Sequence, residues 1–385
     1  MRKAIHVITA ATLALSSCAT DDASETVKRS DITFRTSVGL NSRATEVTSD
    51  NINEMWVTAY RTSDKQNEFN NLKFVKEGSD FVCNDQVLSW PKDKELLFFA
   101  MNPSIGDPTG SKLTYPYQVT IGNTTGFKLE NITPEQDIAL QKDVVIGWAT
   151  ASAATHAKNG VPMTLAHLLP QIKVAIKNTN KNLVYHIAGI KLANVAESFG
   201  GEYEMRESST LIKGVQLTQS KETTTYMKRF EHYFSLPNTG TEDLTNHCTQ
   251  GKECGIMPVP QNLQPIQMEN GKFKAGQYIA ILLNVRTQQG KHIYPAGATD
   301  DHTFGWAAIS IPTRNWVYGY KYLYTLDLSN GCGVVDPIDP NPEGGGVVDP
   351  GGKDPNKGEQ IFGEKIKFEC TVTPWIDENR GIIVQ

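Results

Sequence analysis

Few residues in this sequence stand in combinations that could do chemistry. The motifs GxSxG, HExxH and CxxC are all missing from it. GDPTGSK at 106–112 lacks the glycine that precedes the lysine of a phosphate loop, and we interpret it as a turn. DPNPEG at 339–344 begins like a calcium loop, but its twelfth position is Pro350, where such a loop has glutamate. We interpret His167 as a packed or hydrogen-bonded structural residue. His247 and the adjacent Cys248 lack further metal ligands at suitable spacing. The sequence therefore predicts no metal site, no cofactor and no enzyme.

The N-terminal segment carries a signal for covalent modification. Two basic residues precede the apolar run Ala4–Leu15, which is too short to span a bilayer as a folded helix. Leu-Ser-Ser-Cys then ends at Cys18, and this pattern resembles the lipobox of bacterial lipoproteins, in which the cysteine is acylated and becomes the first mature residue. The alternative is an ordinary signal peptide that contains a cysteine. We predict a lipoprotein signal peptide over 1–17 and lipidation of Cys18.

The remaining cysteines are odd in number. Five follow Cys18, so they cannot all pair within one chain. Cys248 and Cys254 enclose a short loop that contains glycine, and a local disulfide between them is the predicted pairing. Cys370 falls on the apolar face of a predicted strand, where it can act as a small buried hydrophobic residue.

Length, charge and composition restrict the class of protein. A chain of 385 residues is long enough for two domains. A net charge of -5 and a pI near 5.9 argue against nucleic acid as a partner, since no basic stripe could neutralise phosphates. Valine, isoleucine, threonine and aromatic residues recur in short runs between glycine, asparagine, aspartate and proline.

These runs predict an all-β protein. Glu95–Met101 and Gln277–Val285 are continuous apolar stretches of strand length, as expected of central buried strands. Each half of the chain has such a strand after an alternating one, and no long segment shows a helical stripe. We therefore predict a β-sandwich in each half, an N-terminal domain over 44–160 and a C-terminal domain over 161–330.

The stretch Asp31–Ala44 combines a predicted strand with an accessible basic residue. Its apolar side chains share one face of the strand and are Ile32, Phe34, Val38 and Leu40. The strand ends in a loop of glycine, asparagine and serine that carries Arg43, where a protease could reach the backbone. The alternative is that Arg43 is a solvated surface residue.

A second strand near the C-terminus repeats this pattern. The predicted strand side chains there are Ile366, Phe368, Cys370 and Val372, with three of them at the spacing of Ile32, Phe34 and Val38. We hypothesise that the C-terminal segment 361–385 of one subunit donates this strand to the next subunit, where it replaces the first strand. The alternative is that both are edge strands of their own domains.

Residues 331–360 connect the second domain to this strand. The segment is rich in glycine and proline and contains GVVDP twice, at Gly333–Pro337 and Gly346–Pro350. Such a composition predicts a flexible spacer, whose ends would average ~30 Å apart and could reach ~100 Å. The alternative is an insertion before a strand that folds back on its own domain.

Several segments resemble the fimbrillin family, the lipoprotein-derived subunits of type V pili in Gram-negative anaerobes. The resemblance covers nearly the whole chain after Cys18. It rests on the lipobox and on the order of seven blocks, which are ITFRTSV at 32–38, SRAT at 42–45, WP…LLFFAMNP at 90–103, MTLAHLLPQIKVAI at 163–176, MPVPQ at 257–261, NWVYGYKYLYTLDL at 315–328 and FECTVTPW at 368–375.

The resemblance implies two tandem transthyretin-like β-sandwich domains, export to the outer membrane as an acylated (palmitate-bearing) lipoprotein, and maturation by an arginine-directed protease. On this chain the cut would fall between Arg43 and Ala44 and would remove a propeptide over 18–43 with the lipid and the first strand. The implied partners are that protease and other pilin subunits, joined head to tail into an adhesive cell-surface fimbria.

The alternative function is a monomeric, tip or accessory surface lipoprotein that binds a glycan or another host receptor. Aromatic residues such as Trp316, Tyr322 and Tyr324 could stack on a sugar, although their alternation is typical of a core face. Retention of the lipid and of the residues before Arg43 would favour this alternative.

Overall fold

The computed structural model describes residues 32–38, 47, 51–104, 112–118, 125–204, 213–248, 255–342 and 346–375. Several predicted site residues lie outside these ranges, namely Cys18, Leu40, Arg43, Ala44 and Cys254. In the described part of the chain, no helix has the length and apolar character that a membrane crossing needs. The predicted all-β class is confirmed, since strands make up most of the regular structure.

Among the described residues, the first half contains nine strands, one 3-10 turn (Ile138–Leu140) and one short helix, α1 (Ala153–His156). The strands are β1 (Phe34–Val38), β2 (Glu54–Arg61), β3 (Asn67–Glu77), β4 (Asp80–Val82), β5 (Glu95–Asn102), β6 (Lys112–Gln118), β7 (Thr125–Ile132), β8 (Val145–Ser152) and β9 (Val161–His167). Seven of them close into a barrel in the order β1-β4-β3-β2-β5-β8-β9. Only the β1–β9 pair in this barrel is parallel.

The described part of the second half adds sixteen strands and one 3-10 turn (Leu244–His247). The strands are β10 (Gln171–Lys177), β11 (Leu183–Ala196), β12 (Phe199–Glu204), β13 (Lys213–Gln219), β14 (Thr223–Ser235), β15 (Glu242–Asp243), β16 (Gln261–Leu263), β17 (Gln267–Glu269), β18 (Lys272–Ala275), β19 (Tyr278–Thr287), β20 (His292–Tyr294), β21 (Gly305–Ser310), β22 (Arg314–Trp316), β23 (Tyr320–Asp327), β24 (Val334–Val335) and β25 (Lys367–Pro374).

Two sheets of the second half enclose the largest hydrophobic core. One has the order β15-β10-β23-β25, and the other runs β14-β11-β19-β21-β24 with β20 attached to β19. Side chains from both sheets, such as Val174 and Tyr324 from one and Ile187 and Ile281 from the other, belong to a single buried cluster. Alternation along the strands places these residues on the facing sides of the two sheets, as in a β-sandwich.

A shared sheet joins the two halves. Its order is β13-β12-β7-β6, so two strands of the second half pair with two strands of the first half through β12 and β7. Gly200 of β12 allows the close approach, because a Cβ atom there would lie 2.4 Å from the carbonyl oxygen of Leu129 on β7. The rings of Phe127 and Tyr203 stack across the pair with centroids 4.8 Å apart. We call this four-stranded unit the junction sheet.

The predicted domain boundary between residues 160 and 161 is wrong. Strand β9 (Val161–His167) pairs with β8 and β1 and completes the barrel of the first half. Its alternating side chains Val161, Met163 and Leu165 are buried in the barrel core. Alternation predicted the strand correctly, but it carries no information on which sheet the strand joins.

The predicted flexible spacer is also wrong over its described residues, 331–342 and 346–360. Cys332, Val335 and Val348 are buried in the core of the second half. β24 pairs with β21, and the amide of Ile361 just beyond the spacer donates to the carbonyl of Gly333. We call this segment the strap. Its valines enter an existing core, which glycine and proline content alone does not reveal.

A buried ion pair fastens the strap to the sandwich. Lys191 Nζ lies 2.8 Å from Asp336 Oδ2, with side chains 8% and 0% exposed. The hydroxyl of Tyr278 donates to Asp336 Oδ1, and Lys191 lies 4.6 Å from the centre of the Trp306 ring. A buried carboxylate needs such partners because it has no access to water. The first GVVDP repeat is therefore a structural anchor.

Replacing Lys191 by alanine should destabilise the protein by ~3–5 kcal/mol, because the substitution leaves the Asp336 carboxylate buried without its counter-charge. Denaturant unfolding monitored by tryptophan fluorescence measures this loss. Lys274→Ala is the matched control, since it breaks a pair with Glu269 whose side chains are 54% and 60% exposed. Equal effects of the two substitutions would contradict the anchoring role of Asp336.

Candidate functional site

The first strand region contributes two fully buried side chains to the barrel core. Ile32 and Phe34 are both 0% exposed. The Phe34 ring packs edge-on against Phe74 and Phe98, with centroid distances of 4.9 and 5.0 Å and interplanar angles of 83° and 85°. Edge-to-face pairs of this kind add to the free energy of apolar burial. Phe34 is thus the side chain around which the barrel interior is packed.

The backbone of β1 closes the barrel between β4 and β9. It runs parallel to β9 from Phe34 opposite Val161 to Val38 opposite Leu165, and it meets β4 at Phe81. The amide of Val161 also donates to the carbonyl oxygen of Thr33 at 2.8 Å. Removal of β1 would therefore expose backbone groups of two strands as well as an apolar cleft. β1 is not an edge strand.

An exposed ion pair lies beside this strand. Arg35 Nε is 2.8 Å from Asp80 Oδ1, and the two side chains are 53% and 35% exposed. At that exposure solvent screens most of the attraction, so the pair contributes little stability. The strand is held mainly by its apolar side chains and its ladder of hydrogen bonds.

The C-terminal strand occupies a different environment in the same chain. β25 is antiparallel to β23 over eight residue pairs, from Tyr320 opposite Pro374 to Asp327 opposite Lys367. In the described part of the chain it pairs with no other strand, so it is an edge strand. The strand folds back on its own domain, as one of the two alternatives for this segment expected.

The predicted donor side chains are only partly covered there. Ile366, Phe368 and Cys370 are half-buried against the core of the second half, and Val372 is 39% exposed. The Phe368 ring lies 6.4 Å from that of Tyr324, farther than the contacts of Phe34. Because free energy of burial scales with area, β25 gains less from its place than β1 does.

The aromatic and metal-ligating residues considered as alternatives form no site among the described residues. The aromatic residues considered for sugar stacking are core residues, with Trp316 and Tyr324 each 1% exposed and Tyr322 3% exposed. In the described ranges, no group of three or more His, Cys, Asp or Glu side chains could hold a metal ion. His247 instead lies 2.7 Å from Glu242, and its ring stacks on Phe234.

Trp375 is a residue of this region that the sequence analysis did not single out. It follows β25 directly and is 3% exposed, and its ring stacks on His167 with centroids 3.8 Å apart. One feature of the sequence could have indicated it: a tryptophan directly follows the predicted C-terminal strand. The partner of that ring is distant in sequence and could not be read from the pattern.

Comparison with known proteins gives one family and several similar folds. A family model described as fimbrillin-like matches residues 42–375. The fold is similar to that of a fimbrial protein from Bacteroides vulgatus, with a TM-score of 0.51 and 14% sequence identity. The match covers 90% of this chain and 99% of the Bacteroides vulgatus chain. A candidate cell adhesion protein from Bacteroides ovatus, covering 90% and 98%, has 13% identity and a TM-score of 0.40. No curated protein matches this chain. At 14% identity the first likeness shows the fold alone.

Alanine substitutions in the two strands should have unequal effects on stability. Phe34→Ala should destabilise the uncleaved chain by ~3–5 kcal/mol, because it leaves a cavity at the centre of the barrel. Phe368→Ala is the matched control and should cost clearly less, since its side chain is already half-exposed. Urea unfolding of both variants measures the difference. A larger loss for Phe368→Ala would contradict this description of the two strands.

Cys370 provides a chemical probe of the C-terminal strand. Cys83, Cys248 and Cys332 are buried, whereas Cys370 is half-buried. Burial raises the pKa of the Cys370 thiol, so less reactive thiolate is present at neutral pH than for an exposed cysteine. Among the described cysteines, Cys370 should react first with iodoacetamide in the native protein, and its rate should rise as pH increases from 7 to 9. Mass spectrometry of the modified peptides tests this order.

Cys248 has its own hydrogen bond, and its predicted disulfide stays untested. The Cys248 thiol donates to the carbonyl oxygen of Leu244 at 3.8 Å.

Faster modification of Cys248 or Cys332 than of Cys370 in the native state would contradict the burial pattern of the described cysteines.

Proposed function

This chain belongs to the fimbrillin-like family, and on that premise we propose that it is a structural subunit of an adhesive cell-surface fimbria that polymerises by strand exchange. Its partners are other pilin subunits. The observation that carries the proposal is the contrast between two strands with the same apolar spacing. β1 is buried at the barrel centre, and β25 is a half-exposed edge strand.

Export and maturation make the barrel site available. Cys18 is the lipid attachment residue, and its acyl chain anchors the precursor to the outer membrane by burying methylene groups at ~0.8 kcal/mol each. A maturation protease then cuts between Arg43 and Ala44. The product loses its lipid together with β1, and the subunit leaves the membrane for the fimbria.

Loss of β1 creates a site that fits an incoming strand. The cleft would be lined by Phe74 and Phe98 and bordered by the backbone of β4 and β9, which β1 covers before cleavage. Ile366, Phe368 and Val372 of a neighbour repeat the spacing of Ile32, Phe34 and Val38. Each apolar side chain that becomes fully buried contributes ~1.5–3 kcal/mol before the cost of ordering.

Fuller burial of the donor side chains favours transfer of the strand, whereas loss of the buried Trp375 contact opposes it. Leaving β23 breaks one ladder of hydrogen bonds, and entering the cleft forms a ladder with β4 and β9, so the backbone terms largely cancel. The gain is the fuller burial of side chains that are half-exposed on β25. Because donor and acceptor lie on different parts of one subunit, the association is head to tail and produces open filaments.

The strap limits how far the donor strand can extend. Hydrogen bonds hold Ile361 and Glu364 to Gly333 and Asn330, only a few residues before β25 begins. Transfer to a neighbour therefore requires either close approach of the two subunits or release of these contacts. The full reach of an unfolded 331–360 segment is not available while the strap is packed.

A monomeric surface adhesin is the second candidate. The observation that favours it is that β25 already pairs with β23 in its own chain, which leaves the described part of the protein with a complete barrel and a complete sandwich. Such a protein would keep its lipid and residues 18–43 and would need no neighbour.

N-terminal sequencing and an unheated gel of protein from the cell surface decide between these functions. A subunit should begin at Ala44 and form a ladder of large species, and Arg43→Ala should block both. Phe368→Glu should abolish the ladder because it would place a charge in the apolar cleft. Thr371→Glu, an exposed position on the same strand, is the control that should leave the ladder intact.

If the protein from the cell surface begins at a lipidated Cys18 and runs only as a monomer, the result would contradict the subunit proposal and support the adhesin. An intact ladder in Phe368→Glu would contradict strand donation by β25, even if cleavage after Arg43 takes place.

A further inference from the structure

Trp375 anchors the end of the C-terminal strand. Residues 371–374 are all exposed, whereas Trp375 is 3% exposed and lies in the core cluster between the barrel and the junction sheet. Its amide donates to the carbonyl oxygen of Gly319 at 2.7 Å, and Lys321 Nζ lies 5.2 Å from its ring centre. In the described segment 367–375 it is the only buried residue, so its side chain adds a core contact to the ladder that joins β25 to β23.

A buried acid–histidine pair forms the surface on which Trp375 rests. The His167 and Trp375 rings are stacked 3.8 Å apart with an interplanar angle of 11°. His167 Nδ1 donates to Asp143 Oδ2 at 2.7 Å, and both side chains are at most 1% exposed. Since a carboxylate can only accept, this bond fixes the proton on Nδ1 and the orientation of the ring. Asp143 therefore positions the face that Trp375 contacts.

The same carboxylate oxygen also holds the segment after the predicted cleavage site. The amide of Val47 donates to Asp143 Oδ2 at 3.0 Å. Val47 is the fourth residue after Arg43. The chain near the start of the mature protein and the end of the donor strand thus meet at one buried pair, although they are more than 300 residues apart in sequence.

The side chains of Asp143 and His167 make few hydrogen bonds with the described residues. Asp143 Oδ1 and His167 Nε2 are buried and have no partner among the described residues. Loss of the Val47 amide would leave the carboxylate with His167 as its remaining donor in this part of the chain. A buried polar group that loses its partner is costly, so the pair would be expected to rearrange.

We propose that Asp143 and His167 form a latch that holds the C-terminal strand on its own subunit, through Trp375, while Val47 remains bound to Asp143. Displacement of the N-terminal segment would loosen His167, weaken the Trp375 contact and free β25 for donation. Coupling between two sites is reciprocal, so removal of Trp375 would also weaken the hold on Val47. The inference rests on the proposed strand exchange, which it would restrict to processed subunits.

Hydrogen exchange of the purified, uncleaved monomer tests the latch. Val47→Pro removes the amide hydrogen that Asp143 accepts, whereas Val47→Ala keeps it. The proline variant should exchange the amides of β25 on the order of tenfold faster, a typical size for coupling between sites. Amides of β19, at the centre of the sandwich, should be unchanged in both variants. Equal β25 exchange in the proline and alanine variants would overturn the proposal, as would faster exchange throughout the chain.

A double-mutant cycle provides a second test that does not depend on the proline. Asp143→Asn and Trp375→Leu each perturb one side of the latch while keeping side-chain size or apolar character. If the latch is coupled, the β25 exchange rates of the double variant should differ from the product of the two single effects. Independent effects would overturn the proposal.

The exchange measurements separate this inference from the proposed function. They are made on a monomer and need neither cleavage nor polymer. A ladder of polymers without coupling between Val47 and β25 would remove the latch and leave strand exchange standing. Coupling in a protein that never forms a ladder would remove the proposed function and leave the latch as a structural contact of the monomer.

Discussion

The packing of Phe34 against Phe74 and Phe98 is the interaction on which the first half of the protein depends. Those three rings pack together in the core of a barrel that closes through β1, which lies between β4 and β9. The strand that supplies Phe34 is also the one that the family resemblance marks for removal. If the proposed cleavage removes that strand, the cleft that remains needs an equivalent strand from elsewhere to cover its apolar side chains and open backbone groups.

The second half is stabilised in another way. Its sandwich core would leave the edge of β21 open, but the strap covers that edge with β24 and inserts Cys332 and Val335 into the core. Charges that would be costly in a core are paired, as Asp336 is with Lys191. The opposite sheet has no such cover at its last strand, and β25 forms its edge in the described part of the chain.

The junction between the halves connects these two arrangements. The junction sheet takes two strands from each half, and its core cluster includes Trp375 from the end of the chain. The segment that follows Arg43 and the end of β25 both reach this region, through Val47 and Trp375. These packed and hydrogen-bonded groups are the contacts through which the proposed latch would couple the two segments.

The sequence by itself determined the strands and their buried faces. Alternation predicted Ile32 and Phe34 as core residues, and the continuous runs predicted β5 and β19 as central strands. Tertiary structure alone decided which sheet each strand joins. Alternation specifies a face and leaves the partner open, so β9 was assigned to the wrong half. Glycine and proline content describes local stiffness, whereas the strap is ordered by long-range contacts of Asp336 and its valines. The meeting of Val47, His167 and Trp375 likewise arises only when distant strands fold together, because hydrogen bonds and ring stacking act over a few ångströms of space and leave no trace in sequence spacing.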